Sequence, residues 1–134
     1  MFSFVRDGSR IECAAEDLPD ACRQALRLRA QLLDAAGPVD CLAVLGLDRP
    51  GLFVAPRPEG LRPTAEEVRA LATLAGLSGA QVARLVGSTP RKFRAWAGGE
   101  DGMPWAAWHV LAVYVGLAEP ARFPPPASLF NCAN

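Results

Sequence analysis

The chain has 134 residues, 51% of them apolar and 21% charged, and its fourteen basic and fourteen acidic side chains cancel. That composition excludes a disordered chain and suits one globular domain or two small ones. Net neutrality argues against indiscriminate nucleic-acid binding, which draws its strength from neutralised phosphates. No apolar run approaches the roughly 20 residues that cross a bilayer, and Met1 to Arg10 does not read as a secretory leader, so a cytoplasmic chain with no membrane partner is expected.

The first thirteen residues read as a hairpin, because Asp7-Gly8 is a favoured two-residue turn. Pairing Arg6 with Ser9 sets Phe4 opposite Ile11 and Phe2 opposite Cys13, which puts all four apolar side chains on one face. A helix follows, with Asp17 as N-cap, Pro19 in the first turn and Gly37-Pro38 as its stop. Leu18, Ala21, Ala25, Leu28, Leu32 and Ala35 form its buried stripe, at three- and four-residue steps. Residues 39–55 hold two apolar runs, Cys41 to Leu47 and Leu52 to Ala55, around Asp48-Arg49-Pro50-Gly51. They are read as a second hairpin, although Cys41 to Leu47 fits a short buried helix equally well.

These elements make a small α+β unit over residues 1–55 for dimerisation or partner binding. Residues 56–63 are a proline-rich linker. From Thr64 the pattern becomes all-α. Thr64 caps a first helix that Gly76 ends, Ser78 opens a second that Gly87 breaks, and Thr89 caps a third running through Trp96 to Gly98-Gly99. Pro104 opens a fourth, which is apolar around most of its circumference. Residues 118–134, with Pro124-Pro125-Pro126 and Leu129-Phe130, read as an extended tail.

Charge is sorted along this plan. Residues 1–60 carry seven arginines against nine acids, and residues 61–134 carry seven basic against five acidic residues. Arg84, Arg91, Lys92 and Arg94 fall in one short stretch with no acid between them, the pattern of a phosphate-facing patch. Around them, Ala83 is small where two helices would cross and Gly87 permits a tight turn. Val82, Leu85, Val86, Phe93 and Trp96 supply inward packing, which leaves Pro90, Arg91, Lys92, Arg94 and Ala95 facing outward.

The run from Leu77-Ser78 through Ala80 to Val86-Gly87, with Ser88-Thr89, Phe93, Trp96 and Gly98-Gly99, resembles the lambda-repressor-like, or Xre-family, helix-turn-helix. The resemblance covers about residues 64–117, in the C-terminal half of the chain. It implies a four- or five-helix DNA-binding bundle that acts as a homodimer on a palindromic operator, with double-stranded DNA as partner and a repressor as the expected function. On that likeness Arg91, Lys92 and Arg94 read bases, while Ser78, Gln81, Arg84 and Thr89 meet phosphates. Two positions depart from the family pattern. Gly79 stands where a phosphate-binding glutamine is common, and Pro90 where a polar residue is common.

Two other kinds of protein fit the same sequence. One is an antitoxin or similar interaction protein that holds its partner, such as a toxin, through the N-terminal unit or the tail. The other is an adaptor that kept the helix trio and lost DNA. Trp105, Trp108 and Leu111 are assigned to a dimer or domain interface. His109 has no partner at ligand spacing and reads as a packed histidine, and Glu66 and Glu67 read as first-turn charges. Cys13, Cys22 and Cys41 read as small buried hydrophobes and Cys132 as a free thiol in the tail; the spacing makes no metal site. With no phosphate loop or nucleophile elbow, neither cofactor nor enzymatic activity is expected.

Overall fold

A computed structural model describes residues 2–54 and 57–120. The expected tail past residue 120, with Leu129, Phe130 and Cys132, and the start of the expected linker at Pro56 lie outside the described residues. An antiparallel sheet with one helix precedes a helical bundle, which is the α+β-then-all-α order that the sequence predicts.

Asp7 and Gly8 take φ values of 51° and 78°, the pair of positive values that a type I′ turn needs. Strands β1 (Phe2–Arg6) and β2 (Ser9–Cys13) therefore pair in the expected register, Phe4 opposite Ile11 and Phe2 opposite Cys13. Phe4 is completely buried, whereas Ile11, on the outermost strand, remains 40% exposed.

Helix α1 (Leu18–Leu28) opens as expected, with the Asp17 carboxylate accepting from Asp20 N–H at 2.9 Å. Its end is a correction. Arg29 turns left-handed at φ 52°, and residues expected to finish the helix form strand β3 (Gln31–Asp34). β3 pairs with β1, Leu32 opposite Phe4, and turns back onto β4 (Gly37–Pro38), giving the strand order β2-β1-β3-β4. Residues 30–36 are mostly good helix formers. The unpaired side of β1 nonetheless offers a row of backbone partners, and Leu32 still reaches the core, so tertiary pairing overrides local preference. Arg6 donates to Leu28 O at 3.2 Å and steadies the helix end.

The second hairpin thus lies at residues 31–38, not over 39–55. There the chain forms short helix α2 (Cys41–Leu45), capped by Asp40 and ended by Gly46, and the burial falls on Leu47 and Leu52 beyond it. Cys22 is buried as expected. Burial, and then the neighbouring Cys41 thiol, push its pKa up to about 12, so it packs as a neutral side chain.

The bundle follows its sequence signals closely. It comprises α3 (Ala65–Ala75), α4 (Gly79–Val86), α5 (Pro90–Gly98) and α6 (Trp105–Val115). Thr64, Ser78 and Thr89 each accept the backbone N–H three residues on. Glu67 and Gln81 answer by accepting from the N–H of Thr64 and Ser78, which completes two capping boxes.

One hydrophobic core runs from Phe4, Ala21 and Leu32 through Leu47 and Leu52 to Val68, Leu71, Val82, Trp108 and Leu111. Three polar ties reinforce it. Arg23 of α1 donates to Leu74 O at 2.6 Å and to Thr73 O at 3.2 Å, occupying carbonyls at the C-terminal end of α3. Arg49 meets both oxygens of Glu67 at 2.7 and 2.9 Å and also donates to Arg62 O at 2.6 Å. The indole N–H of Trp108 donates to Leu52 O at 2.7 Å, and its ring stacks on Phe53. The N-terminal unit and the segment after it are therefore docked on the bundle.

Candidate nucleic-acid interface

α4 and α5 are pressed together by a division between small and large residues. Ala83 and Val82 are wholly buried, and Phe93 and Trp96 are 8% and 4% exposed. Gly79 is required by close packing, because a Cβ there would lie 2.8 Å from the Phe93 ring. The Phe93 ring of the next helix occupies the space that a side chain at position 79 would enter. Gly87 ends α4 at φ 75°, with open space around it, so its backbone conformation and not crowding is what favours glycine. Arg69 of α3 donates to Ala97 O in the last turn of α5 and fixes the far end of that helix. Leu85 and Val86, expected to pack inward, are half-buried.

With Phe93 and Trp96 facing in, Pro90, Arg91, Lys92 and Arg94 are exposed and Ala95 is half-buried. Among the described residues none of the three cations, nor Arg84, makes an ion pair. Arg91 and Lys92 stand in the first turn of α5, which carries no acid. Aligned peptide dipoles make that end of a helix positive, and a cation there is unfavourable by roughly 0.3–1 kcal/mol. Glu100 and Asp101 lie beyond the opposite end. Positive side chains and the positive end of the helix dipole thus share this rim.

Ser78, Gln81 and Arg84 recur at three-residue steps along the exposed face of α4, and Thr89 is exposed at the start of α5. Ser78 and Thr89 use their oxygens to accept cap hydrogen bonds at 3.2 Å, and Gln81 uses its carbonyl oxygen at 2.8 Å. The hydroxyl hydrogens and the Gln81 amide N–H groups remain to donate, which is the sense a phosphate oxygen requires. Arg84 borders a shallow apolar groove with Leu77, Leu85 and Tyr114.

Trp108 and Leu111 are 1% and 0% exposed, inside this chain's own core, and Trp108 joins α6 to the segment before the bundle. Trp105 is half-buried and stacks on His109 at 4.7 Å between centroids. His109 is packed, as its surroundings in the sequence suggested, and neither its Nε2 nor Trp105 Nε1 meets a hydrogen-bond partner among the described residues. The apolar side chains that α6 leaves exposed are Ala106, Val110 and Tyr114. Arg23, Arg49 and Arg69, which hold the bundle in place, were not singled out by sequence reasoning. The carbonyls and carboxylate through which they tie segments together are 13 to 51 residues away, so no local pattern marks those contacts.

The chain is similar to two Escherichia coli proteins, each named transcriptional repressor protein KorC. One is 42% identical over 59 residues, covering 42% of this chain and 69% of that protein. The other is 37% identical over 65 residues, covering 46% and 76%. No protein-family model and no solved structure matches the chain.

Proposed function

Because the chain belongs to the family of the transcriptional repressor protein KorC, we propose that it is a sequence-specific DNA-binding repressor, working in the cytoplasm as a homodimer on a palindromic operator. Residues 64–117 read DNA with α4 and α5 as a helix-turn-helix of the lambda-repressor-like kind, and residues 1–55 form the dimerisation or partner-binding unit. Arg91, Lys92 and Arg94 face base edges in the major groove. Ser78, Gln81, Arg84 and Thr89 hold the flanking phosphates.

The observation that carries this reading is the set of exposed cations, free of ion pairs among the described residues, at the start of a helix pinned from behind by Phe93 and Trp96. The test is selection from a random duplex pool, followed by affinity for the selected site at several salt concentrations. One palindromic site should emerge, and affinity should fall linearly with salt on logarithmic axes. Selection of no site by the folded protein would overturn the reading.

A further inference from the structure

The outer edge of the sheet is self-complementary in hydrogen bonding, charge and apolar surface. β2 ends the strand order, and among the described residues nothing pairs with its outer side. In a two-residue hairpin the closing pair, here Arg6 and Ser9, exchanges backbone hydrogen bonds, and the pattern alternates from there. Ser9, Ile11 and Cys13 thus turn their N–H and C=O groups toward β1, whereas Arg10 and Glu12 turn theirs to the free edge.

A second β2 laid antiparallel about Ile11 places Arg10 of each copy opposite Glu12 of the other. Those are the residues whose backbone groups point outward, so the hydrogen-bonding phase and the charge pairing select the same register. Shifting the strand by one residue pair along the edge sets Arg10 against Arg10 or Glu12 against Glu12, and like charges directly opposite repel. Ile11 becomes the central non-hydrogen-bonded pair, where side chains approach closest. It is 40% exposed in the single chain, although its neighbour Phe4 is wholly buried.

We propose that two copies of this chain associate through their β2 edges into one continuous eight-stranded sheet about a two-fold axis. The proposal rests on the dimeric-repressor reading and deepens it by naming the surface that joins the subunits.

Charge exchange across the edge is the test, read by sedimentation equilibrium with circular dichroism as a check on folding. Wild type should be a dimer at high micromolar concentration. Arg10→Glu sets two carboxylates against each other across each pair, and Glu12→Arg sets two guanidinium groups. Each variant alone should associate more weakly by roughly tenfold or more, since two opposed attractive pairs become repulsive. An equimolar mixture of the two variants should regain dimerisation, because every facing pair is then of opposite charge. A role confined to the stability of the single hairpin predicts no such rescue. A monomeric wild type, single variants that dimerise as wild type does, or a mixture that fails to associate would each overturn the proposal. Wild type that dimerises and rescues as described but selects no duplex would sink the repressor reading and leave the interface standing. Site selection with unaltered variant dimers would sink the interface alone.

Discussion

Trp105 and Trp108 stand three residues apart on α6 and look alike in the sequence, yet the structure gives them different tasks. Trp108 is 1% exposed and donates to Leu52 O at 2.7 Å, whereas Trp105 is half-buried and its indole N–H meets no partner among the described residues. Trp108→Phe leaves the buried Leu52 carbonyl without its donor, at about 1–3 kcal/mol. It also opens a void against Phe53 and Leu52, which adds about 1–2 kcal/mol. A total near 3 kcal/mol in a chain of this length should lower the melting temperature by roughly 10 °C. Trp105→Phe removes no hydrogen bond and should cost less than about 1 kcal/mol. Thermal and urea unfolding of both variants, followed by circular dichroism, measures the difference. Equal effects, or a Trp108→Phe variant as stable as wild type, would refute the claim that this hydrogen bond ties the segment around Leu52 to the bundle.

Four other outcomes are expected. Arg91→Ala should cost about 1–3 kcal/mol on the selected operator and relax base choice at one position of each half-site. Arg84→Ala should weaken all duplexes alike and flatten the salt slope by about one ion, with melting unchanged in both variants; salt-dependent binding to both site and pool checks this. Gly79→Ala, normally a gain inside a helix, should destabilise by about 1–3 kcal/mol because its Cβ meets the Phe93 ring at 2.8 Å, and chemical denaturation reads it. Burial alone would push the Glu67 carboxyl up, but hydrogen bonds from Arg49 and Thr64 outweigh it and hold the group below its ordinary range. Glu67 therefore binds its proton less readily folded than unfolded. Its contribution is full above the ordinary carboxylate value of about 4.3 and is lost as pH falls through the lowered folded value. The gap in melting temperature between wild type and Glu67→Gln should accordingly narrow in acid.

What the sequence revealed is what local chemistry decides. A turn that requires two positive φ values, at Asp7-Gly8, fixed the hairpin register before any tertiary contact was considered. Thr64, Ser78 and Thr89 marked helix starts because a cap needs only the next three residues. The exposed face of α4 and the cations of α5 were legible for the same reason, since Ala83, Phe93 and Trp96 leave only one way for each helix to turn. The end of α1 was not legible. Residues 30–36 satisfy a helical stripe and a strand equally well, and the choice is made by β1, almost thirty residues earlier. For Trp108 and Leu111 the sequence left a dimer or a domain interface open: an apolar helix shows that it must be covered but not by what, and for Trp108 the cover comes partly from Leu52 and Phe53 of the same chain.

The far margin of the sheet, β4, is two residues long, and one of them is Pro38, which has no N–H to offer. Polymerisation by strand addition needs a receptive margin on each side of every unit, so that each joined copy presents a fresh one. In the proposed dimer β2 would be spent in the first union, and what would remain outward on both copies is a proline-ended stub. The stoichiometry of that proposed assembly would therefore be self-limiting. On that proposal, raising the concentration of this chain should fill dimers and not nucleate a fibre through the sheet, a safeguard written into two residues at the opposite end of the strand order from the proposed contact.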